Sequence, residues 1–451
     1  MKRNSHPIRI DCTLAITVVG LLLSGCSARG GTAATADAGS SDTQPNLALI
    51  NDVMQKVEKS YVHPVDSDQL TTNALKGMLT RLDPHSDYMD AQEYRELSAD
   101  TEGRFGGLGI EITSQDGLPK VIAPIDGTPA ARAGIEPGDL ITRIDGRPTD
   151  GMGLTQVVEI LRGKPGSRVT ITIARNGRAP FDVSITRNVI DIVSVKSSLE
   201  PDAIGYVRIT TFTSRTQAQL TDAVARLKRQ AGGHLNGFVL DLRDDPGGLL
   251  NAAVDVGGDF LDGGTVVTTR GRESDDDHAY TAPAHGDVIA GAPMVVLVNG
   301  ASASASEIVA GALQDRHRAT VMGTPSFGKG SVQTIMPIGD GAVRLTTALY
   351  YTPAGRSIQD HGIDPDVVVG VPESEQVANA VVMREADLHG ALANSGSLDA
   401  HGVTQTPSPQ AINAVSHPIK PELIGTNNDA QLSAAVDRLE KMVKNVSPSH
   451  T

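Results

Sequence analysis

Apolar positions change period three times along the chain. From Leu47, the residues Leu49, Ile50, Val53, Met54 and Val57 recur at helical spacing. A second helical stretch spans about 67–82 and stops at Asp83-Pro84, and a shorter one lies near 91–99. Between 104 and 190 the pattern becomes short β-rich runs, FGGLGIEI, KVIAPI, DLITRIDG, RVTITIARNG and FDVSITR, cut by Gly, Pro and Asp turns. One helix, near 154–162, interrupts them. From 204 strands alternate with helices: IGYVRI, a helix over 218–230, the buried strand GFVLDLR, a helix over 249–261, the buried run PMVVLV and a helix over 305–313. That alternation predicts a largely parallel sheet with crossovers. VRLTTALYYTP adds a strand, and SVQTIMPI alternates as a strand does. Beyond Pro372 a helix-compatible stretch runs to about 393, residues 395–410 read as a polar, mobile loop, and 430–446 is amphipathic, set to dock on the core or on a partner subunit.

The N-terminus follows another logic. Lys2, Arg3 and Arg9 precede the apolar run TLAITVVGLLL, too short for a comfortable membrane span and suited to a signal-peptide core. It ends in Leu23-Ser24-Gly25-Cys26, which resembles a bacterial lipobox and implies cleavage before Cys26 and lipidation of its thiol. An uncleaved anchor or an ordinary secretory signal is the alternative. Residues 27–46, rich in Ala, Gly, Ser and Thr, read as a flexible tether. The chain has two cysteines, Cys12 inside the signal and Cys26 at its end, so no thiol remains to form a disulfide. With 451 residues, 39% hydrophobic and no Trp, the cores must be built from Val, Leu, Ile and Ala. A net charge of −14 disfavours nucleic acid as a partner.

Three stretches carry candidate chemistry. In PMVVLVNGASASASEIVAGAL a buried strand passes through a small-residue turn into a helix, where outward-pointing N–H groups suit a serine nucleophile with an oxyanion site beside it. Ser302, Ser304 and Ser306 are rivals for that role, and a plain helix cap is the bland reading. Asp241-Leu242-Arg243-Asp244-Asp245-Pro246-Gly247-Gly248 places paired glycines after a second buried strand, letting backbone N–H groups approach a ligand. GTPSFGKGS resembles a phosphate loop, but Gly330 stands where the Mg²⁺-binding hydroxyl belongs and a strand follows instead of a helix, which excludes nucleotide chemistry. Lys329 is instead a candidate general base, if burial lowers its pKa, or an ordinary solvated lysine. None of the twelve histidines falls in a zinc-protease motif. His278 and His285 flank the acidic ESDDDHAY, which reads as a solvated loop with no metal-ligand spacing.

These pieces, with DPHSDYM at 83–89, GGLGIEI at 106–112 and TPAGRSIQDHGIDPD at 352–366, occur in one order over about 50–370. The set resembles the carboxyl-terminal processing (tail-specific) serine peptidases. The resemblance implies an α/β core (a crotonase/Clp-like ββα protease core) with an inserted β-rich PDZ domain and a helical N-terminal segment. Its boundaries fall at a signal peptide to 26, a linker over 27–46, helices over 47–103, the PDZ domain over 104–190, the peptidase core over 191–372 and a C-terminal helical segment over 373–451. It further implies Ser304 as nucleophile, Lys329 as base and Gln333 orienting that base, with an oxyanion hole from Ala305 and either Gly247 or Gly248. The loop Gly107-Leu108-Gly109-Ile110 would receive a peptide's free carboxylate by strand addition, beside the helix near 154–162. No cofactor is implied. One departure is Asp244-Asp245, where the family usually carries Asn. The expected partners are protein C-termini, a membrane held by the lipid anchor on the periplasmic face of the envelope, and a second copy bound through residues 47–100 or 430–446. The rival readings are an inactive PDZ scaffold on a dead protease fold and a self-processing or envelope-assembly factor.

Overall fold

In a computed structural model, residues 43–273, 275, 277–284, 286–378, 380, 382–394 and 417–446 are described. The expected signal segment, Cys26, most of the expected linker, His285 and residues 395–410 lie outside them. The chain divides at Ser67 into two compact units, so the expected helical segment over 47–103 contributes to both. The first contains α1 (Thr43–Ser60), whose Leu47, Leu49, Ile50 and Val53 are exposed.

The second unit, from Asp68, holds α2 (Ser67–Leu79) from its second residue, β1 (Asp87–Met89) and α3 (Ala91–Glu102). Asp90 caps α3 in a reciprocal capping box with Glu93, and Gly103 ends it in the left-handed region. The β-rich domain follows with β2 (Arg104–Gly107), β3 (Ile110–Gln115), β4 (Leu118–Pro124), the single turn α4 (Pro129–Arg132), β5 (Leu140–Ile144), β6 (Arg147–Pro148), α5 (Leu154–Leu161), β7 (Arg168–Ala174) and β8 (Phe181–Thr186), and β9 (Asn188–Asp191) leads out of it beside β2. Val169, Ile171 and Ile173 of β7 alternate inward against Val121, Ile141, Val157 and Leu161, so one face of this sheet and one face of α5 close a small core.

The larger core belongs to β10 (Val195–Glu200), β11 (Ile204–Ile209), α6 (Thr216–Gln230), β12 (Gly237–Asp241), α7 (Leu250–Gly258), β13 (Thr265–Arg270), β14 (His278–Thr281), β15 (Met294–Val298), α8 (Ala305–Asp315), β16 (Thr320–Gly323), β17 (Ser331–Ile338), β18 (Gly341–Tyr351) and β19 (Val367–Val368). One six-stranded sheet runs β10-β11-β12-β15-β16-β19, parallel except for the β10–β11 pair. Strands β12 and β15 are buried at every position, as continuous apolar runs require when both faces are covered. Helices α6, α7 and α8 cover one face, with Leu220, Val224, Val256, Ile308 and Val309 in the core. The last helix, α9 (Ala430–Val446), covers the other through Leu432, Ala435 and Leu439, so it docks on the core. A second, antiparallel sheet is built on β18, which pairs with β17, β1 and β13.

One expectation fails here. The stretch beyond Pro372 forms no α-helix among the described residues, only two 3₁₀ turns, Glu373–Glu375 and Glu385–Asp387. Glu385 is buried, its N–H donates to Phe327 O, and Arg384 Nη2 donates to His361 O and Ser326 O. Tertiary partners therefore fix this backbone against its local propensity.

Candidate active site

The turn after β15 brings three serines into close quarters, and their hydrogen bonds separate them. Ser302 Oγ donates to Leu242 O at 2.7 Å and accepts from Asn299 N, while Ser306 Oγ donates to Asp245 O at 3.0 Å. Both hydroxyls are fully buried and committed to backbone. Ser304 sits at the N-cap of α8 with φ 55 and ψ −111, a left-handed backbone that a non-glycine residue adopts only under constraint. Its side chain lies near the phenol of Tyr350, which burial pushes up to about 12.

The constraint on Ser304 is Glu307, one turn into α8 and wholly buried. Its Oε2 accepts from Ser304 N at 2.8 Å and from Lys329 N at 2.9 Å, and its Oε1 accepts from Ser326 Oγ at 2.6 Å and Gly328 N at 2.7 Å. A single carboxylate thus pins the backbone of both candidate catalytic residues. Burial pushes this acid up to about 7 against the pull of its four donors. Glycines permit the same approach from the lysine loop. Gly328 has φ +100, and a methyl group at Gly330 would lie 2.8 Å from Gln359 Cα.

Lys329 is mostly buried, and that burial lowers its pKa. Glu385 opposes the shift, Arg344 adds to it, and Glu307 and Asp83 oppose it more weakly. Glu385 comes from the stretch beyond Pro372 that was expected to be helical. His85 Nε2 lies 2.9 Å from both of its oxygens, and Gln359 Nε2 donates to it at 3.1 Å. Gln333, on β17, donates through Nε2 to Ser331 Oγ at 3.0 Å and Thr346 Oγ1 at 3.1 Å. Thr346 in turn donates to Asp83 Oδ1. Burial pushes the Asp83 carboxyl up, but bonds from Ser86, the His85 N–H and Thr346 outweigh it and hold the group below its usual range.

Gly247 and Gly248 have φ +96 and +146. A methyl group on Gly247 would come within 2.9 Å of both Ala305 N and Ser304 Cβ, and one on Gly248 would strike the Phe212 carbonyl. The PGG turn therefore packs directly on the serine. Gly247 N donates to Asp245 Oδ1 at 2.8 Å, which leaves Gly248 and Ala305 as the better pair of donors for an oxyanion. Beside this turn lies a cavity of about 440 Å³, lined by Pro246, Ala303, Phe327, Lys329, Met383 and Pro418 among others.

In the β-rich domain, Gly107, Leu108, Gly109 and Ile110 line a smaller cavity of about 160 Å³ opposite Val158, Leu161 and Arg162 of α5 and its end. Gly109 has φ +77 and packs on Thr128, whose hydroxyl donates to Gly109 O. Leu108 is buried, its side chain in the small core. The loop and the helix that were expected to flank a peptide groove do face each other. No cluster of metal-ligating side chains occurs among the described residues.

Comparison with known proteins agrees with this architecture. The family described as Peptidase family S41 matches residues 203–369, a PDZ domain matches 120–175, and the activating protease CtpB N-terminal domain matches 25–93. A carboxy-terminal-processing protease of Bartonella bacilliformis is 48% identical over 353 residues, 77% of this chain and 81% of that relative. The carboxy-terminal processing protease CtpA of Bacillus subtilis is 34% identical over 326 residues, 72% of this chain and 69% of that relative. Among solved structures, a photosystem II D1 C-terminal processing protease is 32% identical and covers 71% of this chain and 92% of its own, with a TM-score of 0.42.

Proposed function

The chain belongs to peptidase family S41, among the carboxy-terminal processing proteases, and from that premise we propose that it cleaves peptide bonds near protein C-termini with Ser304, Lys329 and Gln333. Ser304 Oγ attacks the scissile carbonyl carbon while neutral Lys329 Nζ takes its proton. The oxyanion is met by the N–H groups of Gly248 and Ala305 at the start of α8. Collapse of the tetrahedral species breaks the C–N bond, and the Lys329 ammonium returns its proton to the leaving amine. Water, deprotonated by Lys329, then opens the acyl ester and restores the serine. Gln333 orients the lysine with its carbonyl oxygen, its amide nitrogen being committed to Ser331 and Thr346.

The PDZ domain presents the substrate. Its Gly107–Ile110 loop receives the terminal carboxylate and α5 flanks the last side chain. We place the enzyme at the cell envelope, exported and anchored by lipid on Cys26, facing the periplasm; several acyl chains on one cysteine anchor more stably than one chain would.

The observation that carries this reading is the buried Lys329 whose loop shares Glu307 with the Ser304 turn. It is tested by labelling with a serine-reactive fluorophosphonate and by turnover of a peptide with a free C-terminus, in wild type and Ser304→Ala. Turnover that survives Ser304→Ala removes the nucleophile assignment, and full activity in Lys329→Ala removes the base. Equal turnover of a C-terminally amidated peptide removes the carboxylate capture. Comparing envelope-protein C-termini by mass spectrometry, with active and Ser304→Ala enzyme, identifies the substrates.

A further inference from the structure

Asp245 stands in the turn between β12 and the paired glycines Gly247 and Gly248. It is fully buried. Its Oδ1 accepts from Gly247 N, its backbone oxygen accepts from Ala303 N and Ser306 Oγ, and its Oδ2 has no hydrogen-bond partner. These bonds stitch the PGG turn to both sides of Ser304. The charged surroundings do not neutralise an ionised carboxylate there. From β11, Arg208 attracts the carboxylate, but its Nη2 is directed at Arg243 O and Asp244 Oδ2, and its Nε is also without a partner. From β12, Asp241 repels, Arg243 is held by Asp241 and Asp429, and Asp244 adds a second neighbouring acid bonded to Asn299. From α8, Glu307 faces Ser304 and the lysine loop.

We propose that Asp245 is a positioning residue that serves the oxyanion turn as a neutral carboxylic acid, holding the Gly247 N–H so that Gly248 and Ala305 face the substrate, and that its ionisation switches the site off. A carboxylate in this position sets a full negative charge beside the developing oxyanion, in surroundings too dry to screen it. The neutral acid keeps the Oδ1 bond and adds no charge. Burial pushes the group up to about 8 against the pull of the Gly247 N–H, the Ser306 hydroxyl and Arg208, so the switch falls just above neutral pH. An Asn at this position would keep the same bond without a switch, so the alkaline limit belongs to Asp245 and not to the catalytic residues.

This inference rests on the peptidase reading, so its test has one arm that needs turnover and one that does not. In the first, kcat/KM is measured against pH for wild type and Asp245→Asn, and their ratio is taken at each pH, which cancels the limb that both owe to Lys329. If only the neutral acid is active, the ratio of variant to wild type rises about 30-fold between about pH 6.5 and 9.5. A flat ratio overturns the proposal. In the second, difference infrared spectra are recorded on Ser304→Ala and on Ser304→Ala with Asp245→Asn. Both proteins share the carbonyl band of Glu307, lost near pH 7, so the diagnostic is the difference between them: a protonated-carboxyl band that only the first keeps above that pH and loses as pH passes about 8. Identical titrations of the two proteins overturn the proposal even if the chain cleaves nothing. A band that titrates in a protein without turnover upholds the neutral acid and refutes the peptidase reading alone.

Discussion

Replacing Glu307 tests whether the nucleophile and the base depend on one carboxylate. In Glu307→Ala all four donors, Ser304 N, Lys329 N, Gly328 N and Ser326 Oγ, lose their acceptor inside a closed core. At about 1–3 kcal/mol for each stranded donor, the loss approaches the whole stability of a domain, so failure to fold is expected. Glu307→Gln is more informative because its amide can choose its orientation. With the carbonyl oxygen in the Oε2 position, Ser304 N and Lys329 N keep their acceptor. The NH₂ then donates to Ser326 Oγ, which already accepts from Ile363 N, and only Gly328 N among the backbone donors is stranded. The expected cost is about 1–3 kcal/mol in urea denaturation. Fluorophosphonate labelling of Ser304 should persist. The pH profile should also move. Glu307 helps to keep Lys329 protonated, so the neutral amide lets the lysine lose its proton at lower pH. The rising limb of kcat/KM should shift in that direction, which a merely structural role would not produce. A Glu307→Gln enzyme that denatures like wild type, or that folds but no longer labels, refutes the shared-anchor argument.

Three further changes have equally definite signs. Lys329→Met should abolish turnover and stabilise the fold at neutral pH. Burial holds the native amine below 10.5, so between that lowered value and 10.5 the unfolded chain binds more protons and wild-type stability rises with pH; urea midpoints of the variant should lack that slope. Glu385→Gln should move the rising limb of kcat/KM to lower pH, because Glu385 is the largest influence keeping Lys329 charged; an unmoved limb would separate Glu385 from the base. Arg243→Met should cost about 3–5 kcal/mol in urea denaturation, since it leaves Asp241 and Asp429 as uncompensated buried charges and cuts the link from β12 to the head of α9; a loss below about 1 kcal/mol would show that the pairs contribute little net stability.

The legible and illegible parts of the chain differ in the range of the forces that set them. Apolar period sufficed for β12, β15 and the helices α6 to α9, because each buries a face whose residues are neighbours in sequence. The strand after Lys329 was legible in the same way, and with Gly330 it was enough to dismiss a phosphate loop. The choice among Ser302, Ser304 and Ser306 was not. It depends on carbonyl oxygens about sixty positions upstream, at Leu242 and Asp245, which occupy two of the three hydroxyls. Glu385 was illegible for the same reason, with a stronger consequence. Its stretch has helical composition, yet Phe327, His85 and Gln359 hold it as a 3₁₀ turn beside the candidate base. Local propensity is worth a few tenths of a kcal/mol per residue, less than one buried charge-assisted hydrogen bond, so the tertiary partners prevail. The candidate base is therefore influenced by chain on both sides of it in sequence, Asp83 before it and Glu385, held by His85, after it. A short motif around Lys329 can identify the lysine, but it cannot contain the groups that set the pH at which that lysine works.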